Sequence, residues 1–418
     1  MKAVKTLIRR LQRSVTTYQV RLARLIGGAS INEIVIVPQT HPGSIGDAAM
    51  ITGAITGLRA RHPEAKIGVF STTKWDQYLD KSPDYFLEVD NFYFFGTPRD
   101  ELTILRRLAK VKKIYMIGAD VLDGHYNPGS ICARLSVLDR AARLGIEAAV
   151  LASSYNKDPE ATTRAALTTL HPSVMIFGRD PESFERMKTM LRRPIGFAGD
   201  LAFQADINEA DNDTSPSLAW IRKQREAGRL VLGVNINYLQ LEKNPALIQP
   251  YVDLVRALVS RNVAFLLVPH DFRGKTSDLY WSEQLRASLG SDGDALAFIS
   301  DAKTPGRLKA LLQHVDGLVS GRMHAVILAA GVSTPAVALT YQNKFEGMYR
   351  LLGLQDRNLL IEPQVCIANP ERLQELTLTM LENRAAYRAI LAERFPGIRR
   401  LSERQFGPRD EAIFTIPS

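Results

Sequence analysis

Two cationic side chains stand two residues apart in SGRMHAVILAAG, residues 320–331. The stretch begins with Ser320, Gly321, Arg322 and His324, then turns apolar through Ala325 to Ala330. Residues 316–320 read as a strand and the apolar run as a buried helix. Arg322 and His324 then fall in the first turn of that helix, where unpaired N–H groups carry partial positive charge. An anion docked there meets backbone donors, a guanidinium and an imidazole together. A lone histidine is more often structural, but beside an arginine at a strand's carboxyl end it becomes a candidate general acid or anion ligand.

Other strand-to-helix loops carry similar groups. VPHDFRGKTSD, residues 268–278, crowds His270, Asp271, Arg273 and Lys275. Arginine offers a fork and lysine a point charge to phosphate or carboxylate. A solvated loop with internal ion pairs accounts for the same residues equally well. In FGRDPESF, Asp180 and Pro181 are a helix cap and first position, which leaves Arg179 free to point into a cleft. In THPGSIGDAAM, residues 40–50, Gly43 and Gly46 permit close backbone approach beside Ser44. The pattern is neither GxGxxG nor a P-loop, and a tight turn with Asp47 capping a helix that opens near it is the simpler reading of the spacing. IGADVLDGHYNPG places Asp120, Asp123 and His125 after a strand. Their spacing is no established metal-ligand motif, and turn formation or a polar cleft lining both explain them. A further loop, TYQNKFEGM, brings Lys344 and Glu346.

Short β-rich runs alternate with helical stretches, the mark of βαβ units and a largely parallel sheet. Strands are expected at 33–38, 66–70, 113–117, 148–152 and 174–177, then at 229–235, 263–268, 295–299, 316–320, 336–339 and 358–361. Helices are expected near 47–61, 130–144, 181–192, 247–260, 304–313, 324–331, 344–353 and 370–395. The acidic, Ser/Pro-containing stretch 206–217 reads as a linker. Four segments follow: a basic helix (1–28), an N-terminal α/β domain (29–208), a C-terminal α/β domain (209–369) and a helical end (370–418). Ligands of such sheets bind at the carboxyl ends of the strands.

A chain of 418 residues suits two domains. Its two cysteines, Cys132 and Cys366, form no metal-binding spacing, which argues for a reducing compartment and against a disulfide framework or structural zinc. No secretory core and no run of roughly 18–20 apolar residues appears, so the expected location is the cytoplasm. The net charge is +9, and residues 1–30 hold seven Lys and Arg with no acid. The remainder is near neutral, so the charge does not indicate nucleic-acid binding. Val4, Leu7, Ile8, Leu11, Val15, Tyr18, Leu22, Leu25 and Ile26 fall near one face of a helix. Such a helix can lie on an anionic membrane surface, making the protein peripheral, or pack on protein.

Residues 320–354, SGRMHAVILAAGVSTPAVALTYQNKFEGMYRLLGL, resemble the C-terminal signature of the polysaccharide pyruvyl transferase family. GSIGDAAM resembles the family's N-terminal GNxGDexI element, with Ser44 in place of the usual Asn and Ala48 in place of the usual acid. The segment from FGRDPESF to AGDLAF and the loop PHDFRGKTSD also resemble family elements. The resemblance implies two Rossmann-like domains in a GT-B-like arrangement. It implies transfer from phosphoenolpyruvate to two hydroxyls of a sugar, in a cell-surface polysaccharide or its lipid-linked precursor, with release of phosphate. No metal or organic cofactor is implied. On that basis His324 is the candidate acid, and Asp47 or Asp271 the proton acceptor. Arg322, Lys344, Arg273, Arg179, Ser320, Gly321, His270 and Lys275 are candidates around the donor. Gly43, Ser44, Gly46, Asp120, Asp123 and His125 are candidates around the acceptor. Two other readings stay open: a GT-B glycosyltransferase using a nucleotide sugar, with Glu346 near the expected ribose partner, and a non-catalytic glycan-binding protein.

Overall fold

Aliphatic five-residue runs such as EIVIV and VAFLL are buried along their whole length, as strands of a parallel sheet covered on both faces must be. The computed structural model describes residues 2–26, 31–210, 214–341 and 345–407. Seven parallel strands form the first sheet, in the order β3-β2-β1-β4-β5-β6-β7. They are β1 (Glu33–Val37), β2 (Lys66–Val69), β3 (Tyr85–Phe86), β4 (Val111–Ala119), β5 (Glu147–Ser153), β6 (Met175–Gly178) and β7 (Gly196–Phe197). Six more make the second: β8 (Leu230–Asn235), β9 (Val263–Leu267), β10 (Ala297–Ile299), β11 (Gly317–Ser320), β12 (Ala336–Leu339) and β13 (Leu360–Ile361). Their order, β10-β9-β8-β11-β12-β13, repeats the doubly wound pattern of the first. The two-residue edge strands β3 and β7 were not expected, because a pair of residues has no periodicity to read.

Each sheet reverses its winding once, between β1 and β4 and between β8 and β11. Such a point opens a crevice at the carboxyl ends of the strands. The two crevices face each other, because the loop after β1 is stitched to the loop after β9. Ile45 N donates to the His270 carbonyl at 2.9 Å and Phe272 N to the Gly43 carbonyl at 2.7 Å. Ser44 and Asp271 pair as an isolated antiparallel bridge.

Helix Ile45–Arg61 lies between the two domains. It is buried on nearly every side, which explains an apolar sequence without an amphipathic period. Its neighbours include helices Pro305–Leu312 and Met323–Ala330 of the second domain. The helix begins at Ile45, two residues before Asp47, and its cap is Ser44 in place of the expected Asp47: Ser44 accepts from Asp47 N at 3.3 Å. Serine satisfies an orphan N–H here as well as aspartate would, and this releases the Asp47 side chain for the cleft.

The helical end is two helices, Glu371–Glu382 and Arg384–Glu403, broken at Asn383. The second returns to the first domain. Ser402 Oγ donates to the Asp200 carbonyl at 2.8 Å, and Gln405 Nε2 to the Gly199 carbonyl at 3.1 Å. Phe406 packs edge-on to Tyr115 and fills the space left by Gly57, where a Cβ would lie 2.4 Å from the ring. The stretch read as a linker is also held: Asp206 meets Lys81 at 2.8 Å and Arg399 at 2.7 Å. Asp80 of the first domain accepts from Thr304 Oγ1 at 2.6 Å and Gly306 N at 2.7 Å at the start of helix Pro305–Leu312.

Phe406→Ala is expected to cost about 3–5 kcal/mol, the usual penalty for emptying a buried aromatic site. Equilibrium urea unfolding measures it, and an unchanged midpoint would deny the C-terminal segment its clamping role.

Candidate functional site

Three side chains from distant parts of the chain meet at the cleft. Arg179 leaves the end of β6, Asp200 caps a short 3-10 turn, Leu201–Gln204, and His324 sits in the first turn of helix Met323–Ala330. Arg179 Nη1 lies 2.6 Å from Asp200 Oδ2, and their side chains are 2% and 3% exposed. The Arg179 Nε donates to Ser154 Oγ at 2.7 Å, while its Nη2 is buried without a partner. His324 Nε2 stands 3.4 Å from Arg179 Nη1 and 3.6 Å from Asp200 Oδ2. At 15% exposure, His324 is the member of this trio that an incoming ligand reaches. Burial alone would raise the Asp200 pKa, but Arg179 and then His324 outweigh it and hold the carboxyl well below the ordinary range.

A second cluster lies on the other domain. Arg322 grips Asp278 with two donors, Nη2 to Oδ1 at 2.8 Å and Nε to Oδ2 at 3.1 Å. Its Nη1 is 3.4 Å from Asp271, and its plane lies over the Tyr238 ring at 5.2 Å. Asp278 also accepts from Asn235 Nδ2 at 3.2 Å and from the backbone N–H groups of His270 at 3.2 Å and Tyr238 at 3.1 Å. Arg273 binds Asp271 through Nε at 2.9 Å and Nη2 at 2.6 Å, and reaches Asp47 at 3.4 Å and Thr40 Oγ1 at 3.3 Å. His270 is buried, and neither ring nitrogen has a partner. Burial first, then the charges of Arg322 and His324, push its pKa well below the ordinary value, so it stands neutral at neutral pH.

The two candidate proton acceptors differ. Burial raises the Asp271 pKa, but Arg273 and Arg322 overcome this and lower it. Burial dominates for Asp47, whose pKa is raised despite Arg273 and a hydrogen bond from Gln39 Nε2 at 2.8 Å. A raised carboxylate is the better base.

The glycines make the assembly possible. Gly43 has φ +122, and a Cβ there would lie 2.5 Å from Arg273 Cγ. At Gly46 a Cβ would lie 2.7 Å from His324 Nδ1. Both glycines, expected around the acceptor, let the first domain touch the cationic residues of the second. Gly321 is likewise pressed against Asn237 and Gln240. Ser320 is fully buried, and its Oγ donates to Asn235 Oδ1 at 2.9 Å and accepts from Arg322 N at 2.9 Å, so it shapes the turn.

The remaining candidates are less central. Asp123 forms a turn, its Oδ1 accepting from His125 N at 3.0 Å. His125 is exposed and meets Tyr126 edge-on. Asp120 accepts from Tyr126 Oη at 3.4 Å, and its charge acts on both Arg179 and Tyr341, so it borders the trio. Lys275 is exposed, and Lys344 lies outside the described residues. Beside the loop after β1, a cavity of about 570 Å³ is lined by His41, Thr72, Lys74, Glu88, Asp90 and Asn91. Asp200, Asp278 and Tyr341 were not among the expected site residues. The first two lie inside the quoted AGDLAF and PHDFRGKTSD segments, and their pairing to arginines is a long-range fact.

The family model for polysaccharide pyruvyl transferases matches residues 45–343. The chain belongs to the polysaccharide pyruvyl transferase family. That span carries the trio and the Arg322 and Arg273 guanidiniums with their carboxylate partners. Comparison with curated protein sequences gave no match. Solved structures with the same fold include S. aureus MnaA in its UDP co-structure, at 13% identity and TM-score 0.61 over 90% of this chain and 95% of that one. A putative UDP-N-acetylglucosamine 2-epimerase from Listeria monocytogenes has 13% identity and TM-score 0.60 over 90% and 95%. A UDP-forming trehalose-phosphate synthase from Burkholderia xenovorans has 10% identity and TM-score 0.53 over 90% and 97%. These likenesses establish the GT-B fold of this pyruvyl transferase family member.

In Gly46→Ala the new methyl meets the His324 imidazole. Turnover should fall by about a hundredfold, as displacement of roughly 1 Å in a reacting group can produce. The melting temperature should fall too, because the methyl also meets His324 Cβ at 2.7 Å and overpacks a buried contact. Wild-type turnover in that variant would show that the ring needs no such seat.

Proposed function

We propose that this chain transfers a pyruvyl group from phosphoenolpyruvate to two hydroxyls of one sugar, forming a cyclic ketal. The acceptor is a sugar of a cell-surface polysaccharide or of its lipid-linked precursor. The supporting observation is the partly exposed His324 beside the buried Arg179–Asp200 pair, with Arg322, Arg273 and the neutral, unpartnered His270 close by. A phosphate and a carboxylate on one small molecule need several fixed donors, and this cleft supplies them without reorganisation. The two unpaired cysteines accord with a cytoplasmic setting.

In this reading His324 gives a proton to the methylene carbon of phosphoenolpyruvate, which makes C2 electrophilic. A sugar hydroxyl adds to C2 and loses its proton to Asp47. The C2–O bond to phosphate breaks, and the second hydroxyl adds to C2 and closes the ring. Two hydroxyl protons are released and one is consumed at the methylene, so the net proton leaves with inorganic phosphate. Asp200 orients the imidazole, and Arg179, Arg322 and Arg273 hold the anionic groups. The acceptor enters from the first domain, where the polar cavity at His41, Lys74, Glu88 and Asp90 offers donors and acceptors to sugar hydroxyls.

The decisive experiment is incubation with phosphoenolpyruvate and a panel of sugar acceptors, reading phosphate release and the mass gain of the sugar. His324→Gln should lose on the order of 10²–10⁴-fold in rate, the span of general acid catalysis, with the fold intact. If UDP-sugars raise the melting temperature and phosphoenolpyruvate does not, the nucleotide-sugar reading replaces this one.

The pH profile offers a separate test. Asp47 must be ionised to accept a proton, so activity falls as pH drops through its raised pKa. The Gln39 hydrogen bond lowers that pKa. Gln39→Leu should therefore move the acid limb of kcat/KM to higher pH, and an unmoved limb would remove Asp47 from the role of base.

A further inference from the structure

Helix Lys2–Ile26 presents two opposite sides. Arg13, Thr16, Val20 and Arg24 recur every three or four residues and face the first domain. Thr16 and Val20 are buried there. Arg13 Nε donates to Glu101 Oε2 at 2.9 Å, and Arg24 Nη1 to the carbonyls of Leu108 at 3.0 Å and Val111 at 2.6 Å. Val15, Tyr18, Leu22, Leu25 and Ile26 are 48–84% exposed. At 3.6 residues per turn these five share one arc, opposite the docked stripe. They are five of the ten exposed large hydrophobic residues described for the whole chain, so the stripe is not ordinary surface scatter.

The charge decides what covers the stripe. Residues 1–30 hold seven Lys and Arg and no acid. A second copy of the helix would bring like charge against like. Arg13 and Arg24 are taken up by the first domain, while Arg21 is exposed at the flank of the stripe. A bilayer with anionic headgroups suits this pattern, since the apolar stripe reaches the acyl boundary while Arg21 meets phosphate. No helix among the described residues is long and apolar enough to cross a membrane, so the contact is superficial. We propose that the N-terminal helix seats the protein on an anionic phospholipid surface through Val15, Tyr18, Leu22, Leu25 and Ile26. The inference is independent of the reaction at the cleft.

Full-length protein is sedimented with vesicles of phosphatidylcholine alone and of phosphatidylcholine mixed with phosphatidylglycerol. Binding is expected on the anionic vesicles and should weaken with salt. Leu22→Glu with Leu25→Glu should lower the partition coefficient by about tenfold or more at an unchanged melting temperature, because both side chains are exposed. Arg21→Glu, at the flank of the stripe, should weaken anionic binding alone. Failure to bind anionic vesicles, equal binding to neutral ones, or binding indifferent to the double substitution would overturn the proposal. So would a dimer in sedimentation equilibrium that the double substitution splits, because the stripe would then be a protein interface.

Discussion

Arg179 and Asp200 face each other at 2.6 Å with almost no access to water, and the cleft is arranged around that pair. Removing two charges from water is costly, and a buried ion pair seldom stabilises more than apolar side chains of equal volume. The pair therefore has to be held from outside. Ser154 takes one arginine donor. Ala202 N donates to Asp200 Oδ1 at 2.8 Å, and the returning C-terminal helix fixes the Asp200 carbonyl through Ser402. His324 then comes from the second domain to the one side left open. Domain closure, the C-terminal crossing and the seating of Gly46 on the imidazole all serve this small region.

The same economy governs the other cations. Arg322 is neutralised by Asp278 and Asp271, and Arg273 by Asp271 and Asp47. Like Arg179, neither of these arginines is a free cation waiting for a ligand. Their pairing fixes where the guanidinium planes sit, which is the preorganisation that the proposed donor site requires. The unpartnered nitrogens of His270 and Arg179 Nη2 are hydrogen-bonding groups that the protein itself leaves unused.

Much of this was legible in the sequence, for stated reasons. The alternation of aliphatic runs with helical periods located eleven of the thirteen strands, whereas the order of the strands in each sheet is set by long-range pairing that alternation does not encode. Arg322 and His324 stood out because a strand end, a turn and an apolar helix bracket them. The partners did not stand out. Asp200 and Asp278 look like ordinary helix-start residues, and each does sit at one, Asp200 as a cap and Asp278 as the first helical residue. What selects them is contact with an arginine from another part of the chain, which no local pattern encodes. The glycines were legible as a tight turn, but the neighbour that excludes a side chain at Gly46 is His324 from the other domain, which local spacing cannot show.

Asp47 and Asp271 show how one arginine can leave two carboxylates with different chemistry. Both lie near Arg273, but Asp271 also faces Arg322 and is gripped by several donors, so its ionised form is fixed and its basicity low. Asp47 shares Arg273 only at 3.4 Å, and burial prevails over that attraction. Paired carboxylates whose surroundings drive their pKa values apart divide the work of a site between them. Asp271 suits the structural part, bridging two guanidiniums and joining the β1 and β9 loops. Asp47 suits the part that exchanges protons. Capping by Ser44 is what frees it, so the departure from the family's usual asparagine at that position still leaves the carboxylate facing the cleft.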